Sequence, residues 1–145
     1  MGRIYYLDHA AATPCDERVV QAMQPYLSEV FYNPSSSYGG GQEAHDALEG
    51  ARADIAGLIG AKPDDIVFTA GATESINLAI HGALSGGGSA IISAVEHVAV
   101  RAAVERFPYD IAAVDAYGMT RVEDIEKLVT DETRLVSVVL ADNEF

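Results

Sequence analysis

With 145 residues, 49% of them hydrophobic, the chain is long enough for one domain with a real core and too apolar for a disordered tail. Its net charge of −13 argues against nucleic-acid phosphates or an anionic membrane surface as partners. A single cysteine, Cys15, rules out an intrachain disulfide and fits a reducing compartment. The opening residues reach Asp8 too soon for a signal peptide, Tyr6 stands where an N-myristoylation site needs Ser or Thr, and no apolar run is long enough to span a bilayer. The expectation is a soluble cytoplasmic protein.

In chain order, residues 4–7 read as a short strand. Thr13 and Pro14 read as the cap and first position of a helix with Val19, Val20, Met23 and Leu27 on one side and a kink or break at Pro25. Residues 33–41, Asn-Pro-Ser-Ser-Ser-Tyr-Gly-Gly-Gly, form the most loop-like stretch. Ala44, Leu48, Ala51, Ile55, Leu58 and Ile59 then share one helical face. Beyond residue 62 strands and helices alternate. Ile66–Thr69, Ala90–Ala94, Ile111–Val114 and Leu135–Leu140 are the predicted strands; the last is a continuous apolar run, as in a sheet covered on both faces. Helices are predicted over 73–83 and 97–106, and after a capping box at Thr120 and Glu123. This order argues for an α/β fold with a parallel sheet.

The most informative junction is Phe68-Thr69-Ala70-Gly71-Ala72-Thr73-Glu74-Ser75, where a predicted strand meets a helix through small residues. Free amides and the positive end of the helix dipole would meet there, which suits a phosphate; a plain helix cap is the alternative. His97 follows the second strand and Asn143 the fourth. Both fall at the strands' C-terminal edge, where open α/β sheets bind ligands. Each also has a plainer reading, His97 as a structural or surface residue and Asn143 as a turn residue. His9, His45 and His81 show no metal-like spacing, and His45 and His81 read as solvated helix residues. Gly39–Gly41 lacks the Lys-Ser/Thr of a P-loop.

Five segments in register resemble the group I, NifS/IscS-type cysteine desulfurases, within the class V, fold-type I pyridoxal-phosphate enzymes. Tyr6 to Pro14 (YLDHAAATP) is similar to the family's YLDxAATTP signature, with Ala12 in place of a Thr. Asn33-Pro34-Ser35-Ser36 matches its NPSS loop, with Tyr38 where a His is usual. Phe68 to Asn77 resembles the phosphate segment, Glu96-His97-Val98-Ala99-Val100 the EHxAV box, and Asp142-Asn143-Glu144 the NNE segment. Class V aminotransferases are the nearest alternative.

The resemblance implies an incomplete fold-type I large domain over residues 15–145, preceded by a segment, 1–14, that joins a small domain. It implies that Ala72 and Thr73 bind the phosphate of pyridoxal 5′-phosphate, that His97 stacks on the pyridine ring and moves protons, and that Asn143 sits beside cofactor and substrate. No metal is implied. The substrate would be L-cysteine, the partner a sulfur-acceptor protein, and the complete enzyme a homodimer. Lys62 and Lys127 do not match the family's Schiff-base lysine, and Cys15 does not match its persulfide cysteine. The chain is therefore expected to be inactive alone, as one part of a larger or split enzyme, or to be a degenerate paralogue that binds a partner. The resemblance also implies that strands 90–94 and 111–114 are neighbours, while strands 66–69 and 135–140 lack their partners. One native strand pair would then survive, and the isolated chain would be poorly folded, oligomeric or insoluble, with gaps or rearranged pairing in its sheet.

Overall fold

The structure, a computed structural model, describes residues 5–141. It divides into two compact units, Met1–Phe68 and Thr69–Phe145.

In the first unit, α1 (Glu17–Ser28) begins three residues later than the Thr13–Pro14 signal suggested. Asp16 is the cap: its carboxylate accepts from the Arg18 amide at 2.9 Å, which satisfies one of the orphan donors at a helix start. Pro25 does not break α1; its carbonyl accepts the amides of Glu29 and Val30 and closes the helix. The next helix, α2 (Gly39–Ile59), absorbs three residues assigned to the preceding loop. Gly40 lies against the Tyr32 ring and Gly41 against the Ser36 carbonyl, so packing sets the glycines there. Ala44, Leu48 and Ala51 line an apolar groove with Tyr26 and Tyr32, while Leu58 and Ile59 stay exposed. Tyr5–Leu7 is not a strand, and Ile4 lies outside the described residues. Residues 66–69 pair with no strand among the described residues either; Arg52 bonds the Ile66 carbonyl and covers the Phe68 ring instead.

The second unit is a three-stranded parallel sheet with helices. Its elements are α3 (Ala72–Leu84), β1 (Ser89–Ser93), α4 (Val98–Val104), β2 (Tyr109–Ala112), α5 (Val122–Glu126) and β3 (Thr133–Ser137). The strand order is β2-β1-β3. Ile92 lies opposite Ile111 on one side and Ser137 on the other. The expectation of a single surviving strand pair is thus corrected: β3 pairs with β1, and only its far side is open among the described residues. β1 is the buried centre, with Ala90, Ile91 and Ile92 at most 1% exposed. Ile80 and Leu84 of α3 and Val100, Ala103 and Val104 of α4 complete the core.

Three further expectations change. β2 begins at Tyr109, straight after Pro108, not at Ile111. The predicted run 135–140 is not covered on both faces: Leu135 is half-buried, but Val136 on β3 and Val138 just past it are 43% and 46% exposed. Thr120 caps nothing; it bridges Val114, and α5 starts after Arg121 without a side-chain cap.

Candidate functional site

α3 starts where the small-residue junction predicted. Ile76 and Ile80 pack on the core, which fixes the helix, and Gly71 precedes it in extended conformation. The first intrahelical bond runs from the Ser75 amide to the Gly71 carbonyl at 3.1 Å. The amides of Ala72, Thr73 and Glu74 therefore precede the ladder and point out of the helix end, with the positive end of a 13-residue dipole behind them.

Side chains brace this turn. Glu74 folds back, its carboxylate accepting from the Ala70 amide at 2.6 Å. Asn77 donates to the Thr73 carbonyl at 2.8 Å, and the Thr69 and Ser75 hydroxyls pair at 2.7 Å. Ala70, Gly71, Ala72, Thr73, Glu74 and Asn77 line an open cavity of about 520 Å³. The donor set fits a phosphate: three amides without a partner among the described residues, one hydroxyl at Thr73, and nothing larger than a methyl group at Ala72.

His97 lies beyond the C-terminal end of β1 and caps α4. Its Nδ1 accepts from the Ala99 amide at 3.1 Å, so the neutral ring carries its proton on Nε2. The ring belongs to an exposed residue. α3 and α4 pack together, yet His97 is not among the residues lining the cavity at Ala72 and Thr73. Asn143 lies outside the described residues. A second cavity, about 600 Å³, opens at the same edge of the sheet between Val95, the 117–120 turn and Val138–Ala141. The turn is held by Asp115, whose carboxylate accepts from the Tyr117 and Met119 amides; these two bonds hold its pKa below the ordinary carboxylate value.

Reading the sequence missed the role of Glu96, which is buried at 9% exposure and bonded to Ser137. Its place in the Glu-His pair was visible, but its burial depends on β3. His81 is not solvated as expected: its ring meets the edge of Phe107 at 5.1 Å. Among the described residues no group of three or more His, Cys, Asp or Glu side chains is placed to hold a metal ion, and no helix is long and apolar enough to cross a membrane.

The chain is 46% identical to a cysteine desulfurase IscS of Neisseria meningitidis serogroup C, over 96% of its own length and 37% of the relative's. Two solved structures superpose with a TM-score of 0.87. One, a NifS-like protein, is 36% identical, and the match covers 94% of this chain and 40% of the other. The second, SspA in complex with cysteine, is 35% identical, covering 97% and 43%. The chain thus spans about two fifths of the length of the relatives it matches. The profile of the aminotransferase class-V family matches residues 5–145, nearly the whole sequence, and the chain belongs to that family.

Proposed function

We propose that the chain is the N-terminal portion of a pyridoxal-phosphate-dependent cysteine desulfurase. The observation that carries this reading is the trio of unpartnered amides at Ala72, Thr73 and Glu74, in a chain so similar to IscS- and NifS-type proteins. In the reaction, the C–S bond of L-cysteine breaks, the carbon takes a proton to give L-alanine, and the sulfur joins a thiol as a persulfide. Pyridoxal phosphate, when bound, supplies the electron sink.

This chain's residues bind and orient. The Ala72 and Thr73 amides and the Thr73 hydroxyl hold the phosphate, and the Glu74 carboxylate, which also lines the cavity, is engaged by the Ala70 amide. His97 would stack on the pyridine ring and help move protons, and Asn143 would sit beside cofactor and substrate. Residues 1–14 join a small domain and 15–145 belong to the large one. The complete enzyme is a cytoplasmic homodimer that passes sulfur to an acceptor protein.

The Ala72→Pro variant tests the phosphate site, because proline at the first helical position keeps the helix while deleting one N–H. Titration calorimetry should show pyridoxal 5′-phosphate binding the unaltered chain more tightly than pyridoxal. Ala72→Pro should lose about ten- to a hundredfold of that affinity, the worth of one hydrogen bond to a charged group. Equal affinity for the two ligands would refute the phosphate site. Production of alanine from L-cysteine when a complementary C-terminal piece is supplied tests the reaction; transamination without alanine would assign the chain to an aminotransferase instead.

A further inference from the structure

Glu96 is a buried carboxylate that the roles above leave unused. It lies in the turn between β1 and α4, and its Oε1 accepts from the Ser137 hydroxyl at 2.9 Å, a bond that spans 41 residues of chain. Its amide donates to the Ser93 carbonyl at 3.3 Å. No cation pairs with it among the described residues. Burying a carboxylate against one neutral hydroxyl is costly, and a leucine or methionine would serve packing alone better.

What the bond adds is a sideways tie. Ser137 sits on β3 opposite Ile92, so the turn after β1 is pinned to the neighbouring strand as well as to its own. The next residue is His97, whose extended backbone (φ −55°, ψ 145°) places its ring for the Ala99 amide. A slip of the backbone at residue 96 would rotate the His97 Cα–Cβ bond, break that cap and free both ring nitrogens.

We propose that Glu96 and Ser137 are a positioning pair that holds the His97 imidazole with Nδ1 engaged and Nε2–H presented to a ligand. Its meaning for catalysis rests on the role given to His97 above; the positioning itself does not.

The test is imidazole ¹⁵N spectroscopy and amide exchange on the full chain, with Glu96→Ala, Glu96→Gln and Ser137→Ala. In the unaltered chain the His97 Nδ1 signal should be that of a nitrogen accepting a hydrogen bond. Glu96→Ala and Ser137→Ala should move it toward the signal of exposed His45 and speed Ala99 exchange about five- to tenfold, the worth of one net hydrogen bond. Glu96→Gln, whose amide oxygen still accepts from Ser137, should match the unaltered chain. The His81 signals, set by Phe107, should not move in any variant and so report an intact core. If Glu96→Ala disturbs His81 as well, Ser137→Ala decides, because it removes one hydroxyl only. Unchanged His97 and Ala99 signals in Ser137→Ala, or Glu96→Gln behaving like Glu96→Ala, would overturn the proposal. Failure to bind pyridoxal phosphate would defeat the cofactor reading and leave these signals as they are.

Discussion

Three glycines between α3 and β1 offer a graded test of what locks β3 beside β1. Gly86 has open space around it and no positive φ. Gly87 has φ +90° and equally open space. Gly88 has φ +104°, and a Cβ there would lie 2.7 Å from the Glu132 carbonyl oxygen and 2.5 Å from Arg134 Cγ. The arginine can swing aside, but that carbonyl is held by the Ser89 amide at 2.8 Å at the start of the β1–β3 ladder. Gly86→Ala should gain about 0.4–1 kcal/mol, because alanine restricts the unfolded chain without straining the folded one. Gly87→Ala should lose about 1–2 kcal/mol of backbone strain. Gly88→Ala should lose the same strain plus about 1–3 kcal/mol of steric overlap, in all a large part of the roughly 5–15 kcal/mol that holds an ordinary domain. Urea denaturation followed by circular dichroism should rank the midpoints Gly86→Ala, unaltered, Gly87→Ala, Gly88→Ala, from highest to lowest. A Gly88→Ala midpoint at or above that of Gly87→Ala would refute the reasoning, since only position 88 adds overlap with neighbouring atoms to the backbone strain.

Sedimentation velocity should show the chain self-associating as concentration rises, and Val136→Lys, on the exposed face of β3, should shift it toward monomer; a monodisperse unaltered monomer at high concentration would contradict this. Asp16 is exposed, and its side-chain bonds to Arg18, then the Arg18 amide, hold its pKa below the ordinary value. A group lowered in the folded state stabilises fully above the unfolded Asp value and loses that contribution as pH falls through the lowered folded value, so α1 should keep its cap to lower pH than an ordinary aspartate would allow. Asp16→Ala should remove this step from an acid titration of helicity, and an unchanged profile would count against the cap. Borohydride reduction after adding pyridoxal phosphate should scatter adducts over Lys62, Lys127 and the α-amino group; one stoichiometric adduct at either lysine, with alanine formed from L-cysteine, would show that the chain carries its own covalent site.

Local signals were legible where one element decides its own geometry. Ile76 and Ile80 at helical spacing located α3 to within one residue, and the small residues before it located the free amides. Pairing was not legible. Residues 66–69 have the composition of a strand, yet a strand exists only where another backbone accepts its ladder, and none does among the described residues. Tyr109 and Asp110 open β2 although both are exposed, because its ladder with Ala90 and Ile91, and not its own polarity, sets its start. Val138 to Leu140 is as apolar as the rest of its run but falls past the end of β3, whose last partner on β1 is Ile92. Gly39–Gly41 looked like a loop because glycine disfavours helices, while the Tyr32 ring and the Ser36 carbonyl exclude any larger residue at two of the three positions. Within the candidate site, the helix terminus could be read from spacing. The burial of Glu96 could not, since it depends on a strand 41 residues away.

The strand order β2-β1-β3 also sets a timetable for biosynthesis. The central strand is made first, and both of its neighbours follow it in the chain. β2 can close one side soon after it is made, but the other side of Ala90–Ile92 stays unpaired until translation has moved on by about 40 residues, roughly 2–8 seconds at ordinary elongation rates. Throughout that interval the nascent chain shows a nearly apolar edge to every other nascent chain on the same message. A pause while the segment between β1 and β3 leaves the ribosome would lengthen the exposure and favour pairing between neighbouring ribosomes' products. Pauses that fall within that passage should therefore change the yield of properly assembled protein without changing a single side chain.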